Sequence, residues 1–356
     1  MKDPSNCARG PAEGSAPARV LRSIERFALA PASAAPLAAL RIGLAAVLLL
    51  QAALVAPALF ELYGRSGILQ GPLRDVFART ELPRIGWAVE LLAPLGIGED
   101  PVILGTGVIY VVALAALLVG WCTRAAAFLA WLTHLMLVTT ASSTVYGVDS
   151  FASIFLFYLL WVPSEAAFSM DRRLGRVQGG PTPAARLGLR VVQLHLSFAY
   201  LVSGLGKAAG EPWWDGEAIW RSVMLPEYRQ FDFSWLAHAP WLAAVAGWTV
   251  LLVEIGYGFL IWPRRTRLPW VVATVALHAG IALFMGLLVF GALMAVLTIA
   301  AFAVPSEPPG PAAPAGAAPG RSARPPFWRT APLDKLSQVR SCRARPSRPG
   351  ASLWCW

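Results

Sequence analysis

Residues 37–57 read Leu-Ala-Ala-Leu-Arg-Ile-Gly-Leu-Ala-Ala-Val-Leu-Leu-Leu-Gln-Ala-Ala-Leu-Val-Ala-Pro. Only Arg41 and Gln51 interrupt the apolar run. As a helix rising about 1.5 Å per residue, it is long enough to cross a hydrocarbon core of about 30 Å. Similar runs follow at 101–121, 125–142, 150–163, 189–206, 240–262, 268–286 and 287–304. They predict an all-α fold, a polytopic membrane helix bundle of about eight transmembrane helices. The fourth run is short and the last two are almost continuous, so seven and nine stay open.

Composition agrees. Of 356 residues, 56% are apolar and 14% charged, and the mean hydropathy is +0.56. Soluble globular chains carry about 25% charged residues. A disordered chain is excluded, and an ordinary soluble enzyme is disfavoured. The net charge of +10 would suit nucleic acid, but the basic residues flank the apolar runs rather than form one face. With a cytoplasmic N-terminus, the inner segments hold 22 Lys and Arg and the outer ones 7. That bias favours both termini inside, in a plasma (inner) membrane. The expected partner is the lipid bilayer and no nucleic acid; a protein partner is not indicated.

Residues 1–36 read as a cytoplasmic, mostly disordered basic leader, 37–304 as the transmembrane domain, and 305–356 as a disordered basic Pro/Ala/Arg-rich tail. The leader exceeds a typical signal-peptide n-region, so the first run is read as an uncleaved span. Residues 305–326 contain eight prolines and cannot build a core. Of the two long outer loops, 58–100 has amphipathic stretches with Val76, Phe77, Ile85 and Val89. The other, 207–239, carries Trp213, Trp214, Trp220, Tyr228 and Trp235, residues that favour the headgroup layer.

The four cysteines, Cys7, Cys122, Cys342 and Cys355, show no Cys-x-x-Cys spacing, and the four histidines make no spaced cluster, so no metal is expected. Nucleophile-elbow, phosphate-loop and dinucleotide signatures are missing too. Ionisable groups inside spans are costly and by default point to function. Here they are Arg41, His134, His195, Lys207, Glu254 and His278, with Asp149 at the outer end of the fourth run. Lys207 stands out. The chain has three lysines, Lys2, Lys207 and Lys335, and only Lys207 lies in the hydrophobic body. Lysine gives up its proton when desolvated, whereas arginine does not.

In the fifth run Gln193, Ser197, Tyr200, Gly204 and Lys207 fall on one helical face, about 21 Å long. A cavity lining and a packing face both fit this stripe, and in either case it must face protein. Glu254 and His278 lie at similar depth on consecutive helices, which allows a hydrogen bond between them, as a structural clamp or as a catalytic pair. His134 alone reads as an interhelical histidine, and Arg41 as a residue that snorkels to the inner surface.

These residues carry a resemblance. Ala38-Ala39-Leu40-Arg41-Ile42-Gly43, Gly120-Trp121-Cys122-Thr123-Arg124, Phe168-Ser169-Met170-Asp171, Ser203-Gly204-Leu205-Gly206-Lys207 and Trp213-Trp214-Asp215-Gly216 occur in order, followed by His278. In that order they resemble the membrane domain of vitamin K-dependent gamma-carboxylase and its relatives, the horizontally transferred transmembrane (HTTM) domain family, over roughly 37–304. The carboxylase has a histidine between its third and fourth helices, where this chain has Tyr146-Gly147-Val148-Asp149-Ser150. The resemblance implies a lysine general base at Lys207 and a reduced, vitamin K-like quinone as cofactor.

The leading expectation is a quinol- or lipid-linked membrane enzyme, carboxylase-like or oxidoreductase, with Lys207 as a neutral base at the outer mouth of an interhelical pocket. Gln193, Ser197, Tyr200, Gly204, Trp213, Trp214, Asp149, Glu254 and His278 would surround it, with Asp149 out of direct contact. The alternatives are a non-enzymatic lipid- or quinone-binding accessory protein and, less favoured because no internal repeat is visible, a small-solute transporter.

Overall fold

Each of the eight apolar runs becomes a helix. The computed structural model describes residues 16–64, 67 and 81–307. In chain order the helices are α1 (Ala16–Leu29), α2 (Ala35–Val55), α3 (Leu59–Tyr63), α4 (Ile85–Leu92), α5 (Glu99–Val119), α6 (Thr123–Thr140) and α7 (Gly147–Leu159). Then come α8 (Met170–Arg173), α9 (Pro183–Ala208), α10 (Pro212–Asp215), α11 (Glu217–Met224), α12 (Pro240–Leu260), α13 (Arg264–Met285) and α14 (Leu288–Thr298), the last continued by a π turn at Ile299–Ala303. No strand occurs among the described residues. Among the described residues, four segments are long and apolar enough to cross a membrane: Ala35–Tyr63, Glu99–Val119, Pro240–Leu260 and Arg264–Met285.

Local chemistry sets the ends. The Thr182 hydroxyl accepts from the Ala185 amide and Pro183 opens α9, so a long helix starts cleanly. Gly120, at φ +69°, ends α5 in the left-handed conformation that favours glycine. A short antiparallel bridge pairs Ala32 with Thr182, so α2 and α9 start side by side. Helix α9 packs on α12, α12 on α13, and α13 on α14; α2 contacts both α14 and α5, and α5–α6–α7 complete the bundle. Leu37, Leu44 and Leu48 of α2, Leu114 of α5, Phe155 of α7 and Leu293 of α14 are fully buried between them. The outer surface is apolar as well, with Phe198 69% and Leu252 62% exposed. A water-soluble bundle would put polar residues there, and a bundle in lipid has no need to.

The leader differs from expectation. Residues 16–29 of the segment read as disordered form α1, while 1–15 lie outside the described residues, as do 308–356 of the tail and Val76 and Phe77 of the loop. Helix α1 has an uncovered apolar face at Val20, Leu21 and Ile24, and an opposite face with Arg19, Arg22 and Arg26. It is tied to α9: Arg190 Nε donates to the Phe27 carbonyl with its guanidinium 4.1 Å over the Phe27 ring, and Arg186 Nε donates to the Ala30 carbonyl.

Arg41 also departs from expectation. Its side chain does not snorkel; it is fully buried and donates to the Phe168 carbonyl at 2.7 Å. Phe168 stands at φ +47°, a conformation few non-glycine residues adopt, and in it the carbonyl receives the Arg41 guanidinium. The next motif closes the same corner. Asp171 caps α6, its carboxylate accepting from the Cys122 amide (3.0 Å), the Thr123 amide (2.8 Å) and the Thr123 hydroxyl (2.8 Å). Arg124 pairs with Glu165 at 3.2 Å, and Arg176 with Asp171 at 3.3 Å. Three separate sequence motifs thus form one clamp at the Arg41 end of the bundle.

Burial pushes the Asp171 carboxyl up, but the hydrogen bonds from Thr123, Cys122 and Arg176 outweigh it and leave it below the usual carboxylate value. A depressed folded-state pKa contributes stability that is complete at neutral pH, above the unfolded value of about 3.9, and is lost as pH falls through the lower folded value. We expect Asp171→Ala to cost about 1.5–3 kcal/mol, read as a lower melting temperature at pH 7 in detergent. That deficit should shrink as the pH is lowered below about 4.

Candidate functional site

Helix α9 carries the stripe, and it faces protein throughout, its last residue being half-buried. Gln193, Ser197, Tyr200 and Gly204 are buried. Gln193 Nε2 donates to the Ala301 carbonyl at 2.6 Å, and its oxygen accepts from Arg190 at 2.7 Å. Tyr200 stacks on Tyr257 with ring centroids 4.1 Å apart, and its hydroxyl lies 2.7 Å from His278 Nε2. Ser197 Oγ and His278 Nδ1 are buried without a partner. At Gly204 a Cβ would come within 2.8 Å of the Ile255 side chain and 3.0 Å of Glu254 Cβ. Only glycine lets α9 approach α12 this closely, and the approach puts Glu254 beside the lysine one turn on.

Lys207 Nζ contacts both carboxylate oxygens of Glu254, at 2.5 and 2.7 Å, and the Ser203 hydroxyl at 2.9 Å. An ammonium has three hydrogens, and all three have acceptors here. The Trp213 ring centroid lies 5.2 Å from Nζ, within cation–π reach. The Glu254 side chain is 8% exposed and that of Lys207 25%. Glu254 stands about two-thirds of the way along α12, so the pair lies within that helix rather than at its rim. Trp214 Nε1 donates to the Ala208 carbonyl and Trp248 Nε1 to the Trp214 carbonyl, so α10 is pinned over the end of α9.

One expectation needs correcting. Glu254 and His278 are not hydrogen-bonded to each other. Glu254 takes the opposite charge that Gly204 brings within reach, and His278 takes the Tyr200 hydroxyl. Asp149 is out of direct contact with Lys207, as expected. It is 7% exposed and accepts from Gln51 Nε2 at 2.9 Å and from the Tyr146 amide at 3.1 Å. His134 lies between the Tyr110 hydroxyl (3.0 Å) and the Asp149 backbone carbonyl (3.2 Å), and His195 contacts the Tyr158 hydroxyl at 2.9 Å. Tyr257, Gln51 and Tyr110 escaped the sequence reading. Each is a single polar group in an apolar run, a weak signal until a neighbouring helix supplies its partner. No group of three or more His, Cys, Asp or Glu that could hold a metal occurs among the described residues.

Two substitutions separate the partnered from the unpartnered members of the stripe. Tyr200→Phe leaves buried His278 without its bond, and we expect a loss of about 1–3 kcal/mol. Ser197→Ala removes a hydroxyl that has no partner and should leave the melting temperature unchanged or raised. Thermal unfolding of both variants in the same detergent checks the contrast.

A family model described as the HTTM domain matches residues 91–306, more than half of the chain. The match contains the whole stripe, Lys207, Glu254 and His278, and begins after α2. No curated protein and no solved structure matches the sequence.

Proposed function

Because this chain belongs to the HTTM family, we propose that it is a multi-pass membrane enzyme in which Lys207 and Glu254 act as one acid–base couple on a quinol or a lipid. The observation that carries this reading is the Lys207–Glu254 contact at 2.5 Å, which ends a buried polar stripe inside an apolar bundle. Resemblance to the carboxylase assigns the lysine the role of base; the contact supplies a route to the free amine. Proton transfer from Nζ to Glu254 turns the ion pair into an amine and a carboxylic acid, with no net charge in the membrane. The amine lone pair then accepts a proton from a substrate hydroxyl, and Glu254 can return a proton later. Trp213 and the α10 cap limit water at the amine. A reduced, vitamin K-like quinone is the cofactor the resemblance implies, and its chemistry is to supply the stronger base; Lys207 would start it.

In this reading α6, α7, α9 and α14 join the four long segments to make eight crossings, with both termini cytoplasmic in an inner membrane. Charge is the support: the Arg-rich α1, the 164–188 loop and the 263–267 turn share one side. We expect cysteine labels at Arg176 and Asp215 to be reached from opposite sides of sealed vesicles. Reach from the same side contradicts the topology.

A second reading has its own observation. All three ammonium hydrogens of Lys207 are satisfied, as in a structural clamp of a non-enzymatic lipid- or quinone-binding protein. Lys207→Arg decides between them. Arginine keeps the charge and the pairing but does not deliver a neutral base. The enzyme reading predicts a loss of activity of at least about 100-fold at unchanged membrane level and melting temperature, measured as turnover of reduced quinone in native membranes. Full function with arginine overturns it and favours the clamp.

A further inference from the structure

We propose that the groove between α2, α5 and α6 binds an apolar amphiphile whose head is a hydroxyl group, with the head at Gln51. The groove encloses a cavity of about 320 Å³. Its walls are apolar, and its rim residues Val108 and Val112 are 53% and 60% exposed, so it opens sideways, where a bilayer would lie. Its polar residues are Gln51, Tyr110, His134 and Asp149, with Tyr63 also on the lining.

The hydrogen bonds among these four fix which atoms remain free. A backbone carbonyl only accepts, so His134 Nε2 donates to the Asp149 carbonyl, and Nδ1 is the acceptor that takes the Tyr110 hydroxyl proton. The Asp149 carboxylate accepts from Gln51, which orients the Gln51 amide nitrogen toward it. Gln51 Oε1 is then left buried with no partner. The Tyr110 proton is already committed, so that side chain offers only its oxygen lone pairs. At Gln51 the groove therefore presents an acceptor beside a carboxylate. A ligand head must donate and must not be anionic, while the apolar walls ask for a hydrocarbon body. A hydroxyl on a lipid meets both conditions; its ether, its ester or a fatty carboxylate does not.

This site does not depend on the acid–base reading of Lys207, since none of the four residues touches that pair, and labelling and turnover can fail separately. The test uses the full-length protein in nanodiscs and a diazirine-bearing dodecanol as photoaffinity probe. We expect labelled peptides within 51–63 and 104–112. Dodecan-1-ol should displace the probe about tenfold better than its methyl ether or dodecanoate. Gly107→Leu should abolish labelling by filling the groove; a Cβ there meets only the Leu59 side chain, at 3.9 Å, so the helix accepts it. Gln51→Leu should erase the preference for the alcohol, and the wild-type comparison of alcohol with ether stands even if that variant fails to fold. Displacement by dioctanoylglycerol identifies a glycerolipid source, and by geranylgeraniol a prenyl alcohol; displacement by neither overturns the proposal. So does equal competition by alcohol and ether, or labelling that survives Gly107→Leu.

Discussion

A polar side chain inside a hydrocarbon layer has no water to bond, so it must find its partner on another helix. That constraint arranges this bundle. Lys207 with Glu254 joins α9 to α12, Tyr200 with His278 joins α9 to α13, and Gln193 with the Ala301 carbonyl joins α9 to the end of α14. Gln51 with Asp149 joins α2 to α7, and Tyr110 with His134 joins α5 to α6. Apolar packing alone would not choose among these pairings, because lipid tails are as apolar as leucine. The polar contacts supply the register, and small residues such as Gly204 let the backbones come close enough to make them.

The helices were legible because length and apolarity are local properties. All eight runs are helices, and the spacing of the α9 stripe correctly placed Gln193, Ser197 and Tyr200 against protein. Partner choice was not legible, because it depends on which helix lies beside which. Depth along the helix put Glu254 level with His278, but depth says nothing about rotation, and the close α9–α12 approach gave Glu254 to Lys207. Arg41 illustrates the same gap. Its place near a run end suggested solvent, whereas a loop more than a hundred residues away folds back to receive it. The α1 helix was missed because its Arg-, Pro- and Ala-rich composition masks a periodic placement of Val20, Leu21, Ile24 and Phe27.

The bundle has two polar centres with different characters. Around Lys207 the charges are opposite and adjacent, so a proton can move between them without leaving net charge in the membrane. Around Asp149 the bonds run inward and leave Gln51 Oε1, on the lining of an apolar groove, without a partner among the described residues. The Phe290 ring of α14 lies against His278 of α13 and beside Gly147 of α7. The clamp of Arg41, Asp171 and Glu165 holds the opposite end, where three separate sequence motifs converge.

The claim that paired polar groups set the bundle's register is tested most directly by a double-mutant cycle at Lys207 and Glu254, read as unfolding free energy in detergent. Lys207→Met and Glu254→Met each leave one charge unpaired, and each should cost about 3–5 kcal/mol. The double variant leaves no charge and should recover most of that loss, a strong coupling between the two positions. Single losses under about 0.5 kcal/mol that simply add in the double variant would show that the pair does not hold α9 to α12, and would contradict the account.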